Sequence, residues 1–139
     1  MNEEFVTQIK SLLGERFSTV KVVRENYSKG EDVFDPILPL GVVFPKTTEE
    51  VSEILKLCNS FSIPVVPFGA GTSLEGQVVG NDKGITISLE NLNQILEVNS
   101  ADFDCTVQAA VTRIKLNDYL KDQGVFFPID PGADATIGG

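Results

Sequence analysis

The stretch from Pro67 to Gln77, PFGAGTSLEGQ, gathers residue types able to hold an anion: Gly69, Gly71 and Gly76, with Thr72 and Ser73 beside them. Glycine permits positive φ and carries no Cβ, so successive backbone N–H groups can turn inward as a nest, and the two hydroxyls add donors. The chemistry such a loop serves is the binding of a phosphate or pyrophosphate. Two familiar phosphate loops fail on it. G-x-G-x-x-G would begin at Gly69 and Gly71 but meets Leu74 where the third glycine belongs, and no helix pattern follows. A Walker A spacing runs from Gly71 to Gly76 but presents Gln77 and Val78 in place of Lys and Ser/Thr, which argues against nucleoside triphosphate hydrolysis. Three glycines between strands also make a wide turn with no ligand, and glycine content alone does not separate the two readings.

The elements that must position this loop are legible on either side. Val65 and Val66, bracketed by Pro64 and Pro67, predict a strand that delivers it. Ile85, Ile87 and Leu89 alternate with Thr86 and Ser88, the period of a half-buried strand that receives it. Upstream, Val42, Val43 and Phe44 form a short apolar run closed by Pro45, and Thr47 with Glu50 has the spacing of a capping box. Val51, Ile54, Leu55 and Cys58 then fall at i, i+3, i+4 and i+7, which predicts a helix. Strand, helix, strand in this order is a β-α-β unit with parallel strands. Ile95 to Val98 and Cys105 to Val111 follow as further strands, in antiparallel or mixed pairing. Thr112 caps a last helix that runs through Leu116 and Leu120 to Gly124. At the other end, Asn2 caps a helix in which Phe5, Val6, Ile9, Leu12 and Leu13 recur before Gly14 stops it. Lys21 to Leu40 reads as a loop, punctuated by Tyr27, Gly30, Asp35, Pro36 and Pro39. The expected organisation is an N-terminal helix and connecting segment over 1–38 and a main domain over 39–139. Its class is α+β: a small mixed sheet, β-α-β then β-β-β-α, flanked by helices.

Composition narrows the functions. The chain has 139 residues with 20 acidic and 11 basic side chains, a net charge of -9, and so one domain with no basic footprint for nucleic acid or an anionic membrane. It has no histidine, which removes the commonest metal ligand and neutral-pH acid/base, and neither a catalytic residue nor a metal site is assigned. Cys58 and Cys105 sit in apolar patterns and read as buried free thiols. The start, MNEEFVTQIK, lacks the basic and apolar regions of a signal peptide, and no apolar run reaches the ~18 residues of a membrane span. A reducing cytoplasm is the expected location.

Two segments taken together carry a family resemblance: VVFPKTTEEVSEILKLCNSFSIPVVPFGAGTSLEGQ, from Val42 to Gln77, and FFPIDPGADATIGG, from Phe126 to Gly139. They resemble the FAD-binding domain of the vanillyl-alcohol-oxidase or PCMH type found in FAD-linked oxidases. The wording GTSLEG and DPGADATIGG is most similar to the branch that holds glycolate oxidase and the D-lactate dehydrogenases. The resemblance implies FAD as cofactor. It implies that the loop entered at Pro67 holds the FAD pyrophosphate through the backbone amides of Gly69, Ala70, Gly71, Thr72 and Ser73, with Gly76 in its closing turn. Pro131, Gly132, Ala133, Thr136, Ile137, Gly138 and Gly139 would run along the ribityl chain and flavin ring. Pro45 would lie near the adenine end, a position that a proline closing an edge strand explains equally well. Glu75 is expected to point away from the phosphates, and Asp130 and Asp134 to act as turn formers.

In such flavoenzymes the domain continues past the double glycine into a second subdomain and a substrate-binding cap. The resemblance therefore implies the N-terminal part of a longer enzyme that passes a hydride from the α-carbon of a 2-hydroxy acid, glycolate or D-lactate, to flavin N5. The catalytic residues would lie beyond Gly139, and the isolated chain would be inactive. The alternative is a non-catalytic flavin-binding or assembly subunit that completes its site with a partner chain.

Overall fold

The computed structural model describes residues 2–139. Helix α1, Glu3–Leu13, begins where the Asn2 side chain accepts the Glu4 and Phe5 N–H groups, and it buries Phe5, Ile9 and Leu13. A 3-10 turn, Gly14–Arg16, leads into the two-residue strand β1, Phe17–Ser18. Helix α2, Lys21–Asn26, then falls inside the stretch expected to be loop. Hydrophobic periodicity had nothing to read there, because α2 buries none of its residues and Val22 is 64% exposed. It is tethered instead by polar contacts, with Arg24 Nε donating to the Pro39 carbonyl at 2.5 Å.

Strand β2 is Gly41–Val43, helix α3 is Thr48–Ser60, and strands β3 and β4 are Val65–Phe68 and Ile85–Ser88. The Thr47 hydroxyl accepts the Glu50 N–H at 3.1 Å, so the capping box starts α3 as its spacing predicts. The sheet runs β1-β2-β4-β3. β2 and β3 are parallel, as a β-α-β unit requires, but they are not neighbours: β4 lies between them and pairs with both in parallel. β1 closes the far edge antiparallel to β2. Phe5, Ile9, Ile54 and Cys58 pack from α1 and α3 against Val43, Ile85 and Ile87.

The alternation in β4 predicts one solvated face, whereas all four of its residues are buried. Thr86 and Ser88 are covered by the connecting segment: the Thr86 hydroxyl faces the Tyr27 carbonyl at 3.5 Å, and the Ser88 and Tyr27 hydroxyls lie 3.1 Å apart. A strand buried on both faces keeps polar residues only where each finds a partner.

Strands β5, Ile95–Asn99, and β6, Asp104–Val107, form a separate antiparallel pair rather than extending the main sheet. Helix α4, Arg113–Leu120, is capped by the Thr112 hydroxyl on the Lys115 N–H and stops short of Gly124. Val111, Leu116 and Leu120 make a second, smaller core against this hairpin. The architecture is α+β, as expected.

Candidate functional site

The glycine loop leaves β3 after Phe68, at the carboxyl end of the parallel strands, where open α/β sheets place their ligands. The C-terminal segment reaches the same place from the second unit. The Ile137 N–H donates to the Val111 carbonyl at 2.8 Å, the Gly138 N–H donates to the Ala109 carbonyl at 2.9 Å, and Thr136 bridges to Thr112 in antiparallel sense. This arm presents Thr136 to Gly139 against the loop. At the crossing the chains touch: a Cβ on Gly69 would overlap the Thr136 hydroxyl and lie 2.5 Å from Gly139 Cα. Gly69 is glycine because two backbones meet there.

Between loop and arm opens a cleft of about 450 Å³, lined by residues 69–73, Gln77, Val78 and residues 136–139. None of these side chains is charged. Gly71 holds φ at +74° with the Phe68 ring packed beneath it, and its carbonyl accepts the Glu31 N–H at 2.9 Å. The N–H groups of Ala70, Gly71, Thr72 and Ser73 donate to no other group among the described residues. The Ser73 hydroxyl bonds to the Gln77 side chain and is not a free donor. Below the loop, Tyr27 sets its ring edge-on to Phe68 at 4.8 Å and donates to Glu90 at 2.9 Å. Burial pushes its hydroxyl pKa up.

The structure thus brings together Gly69, Ala70, Gly71, Thr72, Ser73, Thr136, Ile137, Gly138 and Gly139. Pro45, Pro67, Gly76, Pro131, Gly132 and Ala133 lie outside the lining. Pro45 is fully buried after β2, and Pro67 stands exposed on the edge strand β3, where a missing N–H is tolerated. Pro131 borders a different pocket of about 220 Å³ beside Arg113 and Phe127. Gly132 sits in an exposed turn whose N–H donates to Asp130, as a turn former requires. Asp134 does more than turn the chain: its carboxylate accepts the Ile114 N–H at the start of α4. Glu75 is exposed and outside the cleft.

Gln77 and Val78 also line the cleft, and their one signal in the sequence is adjacency to the glycine run. Among the described residues no group of His, Cys, Asp and Glu is arranged to hold a metal, and no helix is long and apolar enough to cross a membrane.

A family described as FAD binding domain matches residues 39–139. A probable D-lactate dehydrogenase, mitochondrial, of Danio rerio is 43% identical over 138 residues, 99% of this chain and 28% of that protein. The glycolate oxidase protein GlcD of Bacillus subtilis is 35% identical over 104 residues, 73% of this chain and 22% of that one. A solved alkyldihydroxyacetonephosphate synthase superposes with a TM-score of 0.89 at 22% identity over 100% of this chain and 28% of its own, a likeness of fold alone. The chain spans only 28% and 22% of the length of these two curated relatives. Both halves of the cleft fall inside the matched span, and the chain belongs to the FAD binding domain family, whose cofactor is FAD.

Proposed function

We propose that this chain supplies the pyrophosphate-holding part of an FAD-dependent dehydrogenase or oxidase for a small 2-hydroxy acid, glycolate or D-lactate. The observation that carries the reading is that the N–H groups of Ala70 to Ser73 find no partner among the described residues and border a cleft free of charged side chains. Backbone donors at a buried position such as Gly71 need a partner, and an anion meets that need. A chain of net charge -9 repels a pyrophosphate at long range, so short-range amide dipoles must do the holding. The volume of about 450 Å³ lies within the ~300–1,000 Å³ of small-ligand sites.

FAD, when bound, supplies the acceptor for a hydride from the substrate α-carbon at flavin N5. The chain's own part is to hold and orient: the loop fixes the pyrophosphate, and Thr136 to Gly139 border the flavin side. No acid or base lines the cleft, so proton removal from the substrate hydroxyl falls to groups outside it, and turnover by this chain alone is not expected. Cys58 and Cys105 are both free, in keeping with a reducing compartment such as the cytoplasm.

Phe126 and Ile129, 74% and 61% exposed just before the arm, favour a second reading in which a flavin-binding subunit completes its site against a partner chain.

The test is titration of the chain with FAD, ADP and FMN, following flavin fluorescence and thermal unfolding. FAD and ADP should both raise the melting temperature while FMN, which lacks the pyrophosphate, leaves it unchanged. Indifference of the folded chain to all three would overturn the reading.

A further inference from the structure

We propose that the Ser28–Phe34 turn, centred on Gly30 and Asp32, is a positioning device that sets the Gly71–Thr72 peptide of the anion loop. The proposal rests on the reading of that loop given above. It concerns residues that precede the matched family span of 39–139.

The turn is built on one buried carboxylate. Asp32, 7% exposed, accepts the Gly30 N–H at 3.2 Å through one oxygen and the Phe34 N–H at 3.0 Å through the other. So pinned, the turn grips the loop at several points. The Glu31 N–H donates to the Gly71 carbonyl at 2.9 Å, and the Gly80 N–H donates to the Ser28 carbonyl at 2.9 Å. The Phe34 ring lies against Gly76, 2.7 Å from where a Cβ would stand. Gly30 is pressed so closely to the loop that a Cβ would overlap the Gly71 oxygen and come within 2.6 Å of Val78 Cγ2.

The consequence follows from peptide planarity. In a trans peptide the N–H of residue i+1 points opposite to the carbonyl of residue i. Holding the Gly71 carbonyl on Glu31 therefore fixes the Thr72 N–H to face away from the turn. Thr72 lines the cleft and the turn does not, so the brace aims that donor toward the ligand side. Without it, a Gly71 at positive φ is free to rotate the peptide and withdraw the donor.

The experiment compares ADP affinity and melting temperature for the unsubstituted chain, Gly30→Ala, Asp32→Ala, Asp32→Asn and, as a stability control remote from the loop, Leu13→Ala. Misplaced binding groups lose affinity steeply, so Gly30→Ala and Asp32→Ala should bind ADP about tenfold or more weakly. Asp32→Asn, which keeps one acceptor oxygen, should fall between them and the unsubstituted chain. Leu13→Ala should melt earlier with its ADP affinity unchanged. The brace is refuted if Asp32→Ala binds like the unsubstituted chain, or if affinity tracks melting temperature across the whole set, Leu13→Ala included. Should Gly30→Ala fail to fold, the Asp32→Ala and Asp32→Asn pair decides alone. If the unsubstituted chain ignores ADP, the loop reading falls and the brace with it; if it binds and the variants match it, only the brace falls.

Discussion

The glycine loop springs from a four-stranded sheet backed by α1 and α3, whereas the arm carrying Thr136 to Gly139 hangs on a two-stranded hairpin and one short helix. Among the described residues, nine buried apolar side chains make the first core and three make the second. A lone hairpin is marginal in water, so the second unit depends on its docking for stability. The two sides of the cleft are therefore held with unequal firmness. The loop side is preformed, and the arm side is the one expected to open first under stress.

The sharpest way to widen that contrast is to empty each core in turn. Ile54 is wholly buried between α3 and the sheet, and Ile54→Ala should cost about 3 to 4 kcal/mol and unfold the whole chain at lower denaturant. Leu116, 1% exposed in the smaller core, should cost about 2 to 3 kcal/mol as Leu116→Ala. Its effect should be local: amide exchange should accelerate in β5, β6 and α4 and remain slow in β2 to β4. Equal acceleration in both units would mean they unfold as one body and would erase the distinction.

The same contrast separates what the sequence could disclose from what it could not. Helices α1 and α3 announce themselves because each carries an apolar stripe and a side-chain cap, Asn2 and Thr47. The glycine loop is equally visible, as a cluster of turn residues between two apolar runs. Helix α2 is invisible to periodicity because it buries nothing. Thr86 and Ser88 mislead because alternation encodes which residues face a common side and says nothing of what later covers it. The meeting of Gly69 with Gly139 is a long-range backbone contact that no local periodicity contains; only the resemblance of the two motifs points to it. The Asp32 turn is hidden for a similar reason, since its partners sit across the fold in the loop it braces.

The two thiols offer a chemical probe of the same difference. Burial in the larger core pushes Cys58 up to about 11, and it is 1% exposed, while Cys105 in the hairpin is half-buried beside a small cavity of about 130 Å³. Thiolate is the reactive form, so iodoacetamide at pH 8 should label Cys105 in the native chain and reach Cys58 only on unfolding. Raised folded pKa also sets a sign: the contribution is intact below the ordinary value of 9.0 and is lost as pH rises toward about 11. Cys58→Ala should remove that alkaline limb from the stability profile. Native labelling of Cys58 at the rate of Cys105 would show that the larger core opens as readily as the smaller.

The smallest expected effect lies in one ion pair of the firmer half. Arg16 meets both oxygens of Glu50, at 2.5 and 2.6 Å, and the Lys46 N–H adds a third bond at 2.6 Å. The pair ties the turn before β1 to the first turn of α3. These contacts, Arg16 first, hold the Glu50 carboxyl down at about 2 against an ordinary 4.5. A depressed carboxyl stabilises above its unfolded value, so this contribution is complete above pH ~5 and disappears as pH falls from 4.5 toward 2. Both side chains keep part of their exposure, which limits the worth of the pair at neutral pH to about 1 kcal/mol. Among the described residues the hairpin unit has no equal: Arg113 reaches Asp130 only at 3.5 Å, and that carboxylate is 61% exposed. Acid should therefore weaken the firmer half selectively and narrow its advantage. Glu50→Gln should reproduce that narrowing at pH 7 and leave β2 to β4 with little further loss between pH 5 and 3. If acid sensitivity in those strands survives the substitution intact, its source is another carboxylate.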